Sequence, residues 1–261
     1  MDKTIVLQHM TDAAHEAAKL MLEAHGVMAE KKSSCRDVVT ECDRRVQELL
    51  MRRLGEAAPQ ARFFCEEQER RDDIEAAQLF VIDPIDGTMN FVRGFRHSCI
   101  SVGYAERGEL KAAAIYNPYA GELFTATLGG GAFLNGKPIH ADDGPLSETI
   151  VCFGSTPYDV TLAPRCFQLA RKAFEASLDV RREGSAALDL CSAAAGRAGV
   201  YFELALSPWD YAAGMLIVRE AGGVCRTMEG AELKLSAGKS SVAAGGRAAV
   251  EEFLQLAKEN S

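Results

Sequence analysis

Residues 80–91 read FVIDPIDGTMNF, an apolar run that ends in two carboxylates, Asp83 and Asp86, with Pro84 and Gly87 interleaved and Thr88 following. Asp, Pro and Gly are ordinary turn residues, so the plain alternative is a buried strand that ends in a solvated acidic turn. Burying two neighbouring carboxylates is costly unless a cation compensates them. The positions of the other acids decide between the two.

Three further acidic segments share this setting. VVTECD places Asp43 at a helix start, where it can act as a cap. FFCEEQE sets Glu66 and Glu67 directly after an apolar strand, and ELALSPWDYAAG puts Asp210 at another helix start, after the only tryptophan. Each has a plain explanation alone. Together, four acidic segments fall at strand ends or helix starts, where ligand sites collect in layered α/β proteins. Oxygen donors without histidine or cysteine suit a hard cation, magnesium before zinc. The two aspartates and the free Ile85 carbonyl can serve two ions roughly 3.5–4 Å apart, the clamp used for in-line phosphoryl displacement. If Gly87 and Thr88 open a helix, their free amides and its dipole make an anion site beside those ions.

The totals fit a soluble chain. With 261 residues, 48% of them hydrophobic and 25% charged, it can form one large domain or two modest ones. A formal charge of −8 with no basic stripe argues against a nucleic-acid surface. The eight cysteines (35, 42, 65, 99, 152, 166, 191, 225) form no CxxC pair and mostly adjoin apolar residues, which predicts buried reduced thiols and a cytoplasmic location. The N-terminus has no signal-peptide pattern, and no apolar run is long enough to span a membrane.

Along the chain, Val6, Met10, Ala13, Ala17, Leu20 and Ala24 mark one face of a helix ending at or just before Gly26, and a second helix covers Asp43 to Leu54. RFFCEE and QLFVID read as short buried strands. Residues 99–139 read as an antiparallel meander with turns at ERGE, PYAGE and NGK. Beyond a soft boundary near 145, strands TIVCFG, 178–180 and GVYFEL alternate with helices at 163–177, SAALDLCSAAAG, WDYAAGMLIVREAG and 248–258. This alternation predicts a mixed α/β fold of stacked sheet and helix layers, with subdomains 1–145 and 146–261.

Two motifs are set aside. GAFLNGKP nearly fits a phosphate-cradling loop, but Pro138 replaces the required hydroxyl and Asn135-Gly136 is a hairpin turn, which removes the support for a nucleotide-dependent kinase. Histidines 9, 15, 25, 97 and 140 form no HExxH and share no helical face, so each is expected in a surface or turn role.

DPIDGTMNF (83–91) and WDYAAGMLIVREAGG (209–223) resemble the two signature stretches of the inositol monophosphatase family, magnesium-dependent and lithium-sensitive phosphatases. KSSCRDVVTECD (32–43), CEE (65–67) and RREGSAALDLCSAAAGRAGVYFE (181–203) are similar to its intervening pattern, in the same order. The resemblance implies an αβαβα sandwich, a homodimer, and hydrolysis of a small phosphate monoester. By matching positions, it implies a first magnesium on Glu66, Asp83 and the Ile85 carbonyl, and a second on Asp83, Asp86 and Asp210. A weaker third would share Glu66. Asp43 and Thr88 would orient and help deprotonate the attacking water, with Glu66 in the same catalytic group. Asp86, Gly87, Thr88, Gly184, Ser185, Ala186, Glu203 and Asp210 would contact substrate, with Gly154-Ser155 as further candidates.

The chain departs from the family pattern at Cys65 and Gln68, where glycine and serine are usual, and Cys42 adjoins Asp43. Oxidation or thiophilic metals are therefore expected to impair activity through Cys42 or Cys65. Inositol-1-phosphate is the first expected substrate. Alternatives within the same chemistry are fructose-1,6-bisphosphatase, 3′-phosphoadenosine nucleotidase and histidinol-phosphate phosphatase. A regulatory scaffold that reuses the fold to bind protein or RNA is the alternative of a different class.

Overall fold

The computed structural model describes residues 2–24, 27–34, 37–69 and 71–258, and the elements below are those of these residues. Helix α1 (Lys3–Glu23) starts where the Asp2 carboxylate accepts the Thr4 amide at 2.7 Å. Its buried stripe runs Val6, Met10, Ala13, Ala14, Ala17, Ala18 and Met21, so the tail of the predicted face drifts: Leu20 and Ala24 are only partly buried. A 3.6-residue period carries a strict i+3/i+4 row off the core over five turns, and Met21 takes the place. The predicted stop at Gly26 lies outside the described residues.

A ribbon of β1 (Ala29–Ser34) and β2 (Asp37–Thr40) leads into α2 (Glu41–Ala57). This helix begins two residues before the expected Asp43, because Thr40 is the N-cap. The central sheet then forms from β3 (Arg62–Cys65), β4 (Leu79–Asp86), β5 (Cys99–Glu106), β6 (Glu109–Asn117), β7 (Glu122–Thr127), β8 (Gly131–Leu134) and β9 (Lys137–Pro138) in that spatial order. Only β3 and β4 run parallel; the rest is the expected meander. Asn135 (φ 49°) and Gly136 (φ 75°) close the β8–β9 hairpin in the left-handed conformation that a type I′ turn requires. Helix α3 (Thr88–Arg93) interrupts the sheet between β4 and β5.

The second sheet has order β11-β10-β12-β14-β13, built from β10 (Ile150–Phe153), β11 (Asp179–Arg181), β12 (Val200–Leu206), β13 (Val224–Arg226) and β14 (Ser240–Gly245). Helices α4 (Ala163–Ala176), α5 (Ala186–Ala194), α6 (Pro208–Glu220) and α7 (Arg247–Lys258) complete the chain. The last two strands carry small or short segments, VCR and SSVAAG, with no alternation to announce them.

Alternating residues assign the layers. On β4, Phe80 and Ile82 pack toward α1 and α2, whereas Leu79 and Val81 pack toward α5 and α6. The opposite side of the α5–α6 layer meets Tyr201, Val242 and Ala244 of the second sheet. The far face of that sheet, with Val151, Phe153, Phe202 and Ala243, buries Leu169 of α4 and Phe253 of α7. The result is the αβαβα sandwich. One apolar cluster runs from Phe64 to Ala244, so both stretches of the chain share the middle layer, and each fully buried large side chain in it contributes roughly 1.5–3 kcal/mol.

Candidate active site

In a regular strand, residues 83 and 86 would point to opposite faces. They do not here, because β4 carries one extra residue. Asp83 pairs with Ser101 and Asp86 with Cys99, so three steps on β4 match two on β5. This bulge, with Pro84 inside it, turns both carboxylates to one side. There they meet Asp210 at the start of α6, and one carboxylate oxygen from each of Asp83, Asp86 and Asp210 lies within 4.8 Å of the others.

Asp43 and Asp210 both serve their helix starts, as the capping reading expected, but not from the expected position. Neither is the N-cap residue; each is the third residue of a capping box. Thr40 N donates to Asp43 Oδ2 at 2.8 Å, with the Thr40 hydroxyl on the same oxygen, and Ser207 N donates to Asp210 Oδ2 at 2.7 Å. Asp43 Oδ1 stays free of the cap and accepts Thr88 Oγ1 at 3.2 Å, while the same hydroxyl lies 3.0 Å from the Ile85 carbonyl. Asp43, Thr88 and Ile85 are thereby joined across β4, α2 and α3.

Glu66 follows β3, its amide bonded to Ile82 O at 3.1 Å, and its carboxylate takes Lys32 Nζ at 2.9 Å. Lys32 also contacts Glu67. Burial opposes the charge on Lys32, but Glu66 and Glu67 outweigh it and hold the amine protonated. Arg71 fixes the same strand end: its guanidinium donates to Cys65 O at 3.0 Å and Glu66 O at 2.8 Å and lies 4.3 Å above the Trp209 ring. Lys32 and Arg71 were not singled out from the sequence: Lys32 opens the KSSCRDVVTECD stretch without a role of its own, and Arg71 sits in a polar stretch with no pattern.

The carboxylates crowd one another. Burial, then Glu66, Asp86, Asp210 and Asp43, push Asp83 well above its ordinary value. Asp210 is raised by burial and by Asp86 and Glu66, and Glu66 by burial against the pull of Lys32. Asp43 is raised to about 6 by burial, against the Thr40 hydroxyl and amide. Buried acids in this arrangement fit a hard cation, which would supply the missing positive charge with oxygen ligands only.

The substrate-side residues divide. A cleft formed by adjoining cavities of about 210 and 350 Å³ is lined by Asp86, Gly87, Thr88, Glu203 and Asp210, and on one side also by Gly154, Gly184, Ser185 and Ala186. Ser185 faces the cleft but its hydroxyl is committed: it donates to Asp86 Oδ2 at 2.5 Å and receives Leu188 N at 3.3 Å as the cap of α5. Ala187 N adds a second bond to Asp86 Oδ2 at 2.7 Å. Glu203 is also engaged, with Oε1 on Thr156 N at 2.7 Å and Oε2 on the Tyr201 hydroxyl at 2.7 Å. Ser155 Oγ is held by Arg182 at 3.0 Å. Arg182 and Tyr158 line the cleft and were missed in the sequence, since nothing in their spacing marks them.

Two expectations change. Gly87 and Thr88 do open a helix, but α3 has only six residues, so its dipole is small and only the amides without a side-chain cap are left to meet an anion. The cysteines are poor sensors. Cys65 is fully buried and burial drives its thiol far up, while Cys42 is raised to about 11, so neither offers a thiolate to an oxidant. Phosphatase activity is expected to survive millimolar peroxide equally in wild type and Cys65→Ser; selective protection by the serine would contradict this. The described cysteines are all free and buried, and Cys35 lies outside the described residues.

A layered sandwich whose bulged strand and two helix starts gather buried carboxylates around a hydroxyl and a cleft defines a phosphoric monoester hydrolase. The chain belongs to the inositol monophosphatase family, whose sequence profile matches residues 2–261. It is similar to the inositol-1-monophosphatase of Rhizobium meliloti (34% identical, covering 91% of both chains). It is also similar to the Nus factor SuhB of Escherichia coli K12 (36% identical, 84% of this chain and 83% of that one). Among solved structures, an inositol monophosphate-bound staphylococcal IMPase-II matches with a TM-score of 0.79 and 26% identity over 97% of this chain and 91% of that one. No helix among the described residues is long and apolar enough to cross a membrane.

Proposed function

We propose that the protein hydrolyses the phosphate monoester of a small polyol, inositol-1-phosphate first, at the Asp83–Asp86–Asp210 centre. The observation that carries this reading is the convergence of those three carboxylates within 4.8 Å, with Thr88, just beyond the end of Asp83's strand, bonded to Asp43 of α2. The names of the Rhizobium relative and of the staphylococcal inositol monophosphate complex support inositol monophosphate, and the same staphylococcal enzyme bound to 2′AMP supports the nucleotide alternative as the next to test.

Glu66, Asp83 and the Ile85 carbonyl would hold one magnesium and Asp83, Asp86 and Asp210 another, with a weaker third sharing Glu66. Bound there, magnesium supplies an acidified water and charge stabilisation for phosphoryl transfer. The chain's own residues do the rest. Thr88 Oγ1, held between Asp43 Oδ1 and Ile85 O, takes a proton from the attacking water while passing its own to Asp43. Asp43 Oδ1, the oxygen outside the capping box, is the atom placed to accept it. The Gly87 and Thr88 amides would take phosphate oxygens. Glu203 has both oxygens engaged, yet a carboxylate has further lone pairs for a polyol hydroxyl. In this reading residues 1–145 bring most ligands, residues 146–261 close the substrate site, and the protein is a lithium-sensitive cytoplasmic homodimer.

The test is phosphate release from inositol-1-phosphate, fructose-1,6-bisphosphate, 3′-phosphoadenosine-5′-phosphate and histidinol phosphate, each with magnesium, with EDTA and with millimolar lithium. Magnesium-dependent, lithium-inhibited turnover with inositol-1-phosphate preferred is expected. Preference for another ester would move the substrate and leave the metal chemistry; no turnover with magnesium bound would overturn the reading. The similarity to a protein named as a Nus factor favours a second, regulatory role. That role should survive Asp83→Asn, whereas hydrolysis should not.

A further inference from the structure

His97, Glu183 and Asp189 are 86 and six residues apart in sequence and share no motif, yet one ligand atom from each lies within 4.8 Å of the others. His97 stands in the loop before β5, Glu183 in the loop before α5, and Asp189 on α5 itself. Sequence spacing gave no histidine such company.

One buried atom on each of two of these groups lacks a hydrogen bond, although the Asp189 carboxyl also has the Cys152 thiol beside it. Asp189 is 1% exposed and its Oδ1 has no hydrogen bond, and neither has the buried Nε2 of His97. Nε2 faces Glu183 Oε2 at 3.4 Å, beyond a good hydrogen bond. A buried carboxylate oxygen left without a donor is costly, and native structures seldom leave one so. Burial, then the charge of Glu183, raises the Asp189 carboxyl well above its ordinary value. Arg182, the cation that acts on it, is committed to Ser155 Oγ.

The scaffold is braced rather than loose. Asn90 Nδ2 donates to both His97 O and Glu183 O at 2.8 Å, stapling the two loops together. His97 and Glu183 line a cavity of about 470 Å³, and Asp189 lines the active cleft, so the cluster sits in the wall between them with a path from solvent.

We propose that His97, Glu183 and Asp189 form a cation site separate from the acidic centre, taking a zinc-class divalent ion and tying the Gly184–Ser185 loop to the wall behind it. One imidazole nitrogen and two carboxylates are a donor set that zinc accepts, whereas the all-oxygen acidic centre suits magnesium. Three protein ligands leave a position for water.

The test is calorimetric titration of zinc into the EDTA-stripped, dialysed full chain in excess magnesium, with melting curves alongside. Four proteins are compared: wild type, Asp83→Asn/Asp210→Asn, His97→Gln and Asp189→Asn. Wild type and the acidic-centre double variant are expected to share one zinc site of equal affinity, and zinc should raise their melting midpoints. His97→Gln and Asp189→Asn should bind it at least about tenfold more weakly and gain no midpoint. Should Asp189→Asn fail to fold, the more exposed His97→Gln carries the comparison. Zinc affinity unchanged in His97→Gln, or no zinc bound by the acidic-centre variant, would overturn the proposal.

Discussion

Asp83→Asn is expected to reduce phosphate release by about 10³-fold or more while making the metal-free protein melt higher. The loss of activity follows because Asp83 is the one carboxylate assigned to both cations, and removing even a single transition-state donor costs about 10²–10³. The gain in stability follows from its surroundings. Asp83 is 2% exposed, and burial together with four neighbouring acids raises its pKa. A carboxyl whose folded value exceeds the unfolded one stabilises fully only below the ordinary 3.8, and that contribution is lost as pH rises through the folded value. Metal-free wild type should therefore weaken from acid toward neutral pH, and the amide variant should weaken less over the same range. Melting curves in EDTA at pH 5 and pH 8, repeated in magnesium, read this directly. A variant that melts below wild type at pH 8 in EDTA would show that Asp83 is not held against repulsion.

Gly87→Ala should damage fold and activity together. Gly87 has φ 84°, where an L side chain costs roughly 1–2 kcal/mol. An added Cβ would stand 3.0 Å from His97 O and 3.2 Å from Gly184 O. Both are backbone atoms, so relief requires moving a loop rather than rotating a side chain. Gly184 lines the cleft and Asp86 precedes Gly87 directly. A melting midpoint lower by about 2–8 °C is expected, given about 2–4 °C per kcal/mol for a chain of this size. Turnover should fall by about 10²-fold, the scale set by ångström misplacement in an active site. Thermal melts with magnesium and steady-state kinetics test both halves. A variant with wild-type kcat and midpoint would refute the tight three-way approach of residues 87, 97 and 184.

Much of this architecture was readable because apolar periodicity is a local signal. The face of α1, the meander from Cys99 and the helix–strand alternation after Ile150 all follow from it. The acids at strand ends and helix starts were legible for the same reason. What failed to show was anything created by pairing. The two aspartates could be read from the sequence as a joint cation site, but not the extra residue against β5 that turns them to one side, since a regular strand would set residues 83 and 86 on opposite faces. Strand β14, SSVAAG, is central between β12 and β13, but its small residues carry no period. Ser185 and Glu203 could be named as site residues, yet their hydroxyl and carboxylate oxygens were already engaged by Asp86, Thr156 and Tyr201. Lys32, Arg71 and Arg182 act through partners distant in the chain, which no local pattern encodes.

The capping boxes at Asp43 and Asp210 bear on how the centre behaves as its cations come and go. Each aspartate ties one oxygen to the first turn of a long helix, Oδ2 in both cases. The side chain cannot swing toward solvent without fraying that turn, so its orientation is inherited from the skeleton rather than imposed by the ion. Asp83 has no such anchor in a helix: its Oδ1 accepts the Ile85 amide at 3.1 Å within its own loop, and burial, then the neighbouring acids, oppose its charge. On the proposed function the centre would be part mould and part spring: two walls held in register by their helices, and one crowded carboxyl between them that an arriving cation would relax. Ion exchange would then require little rearrangement of the chain, and the helices that frame the cleft would keep its shape between one substrate and the next.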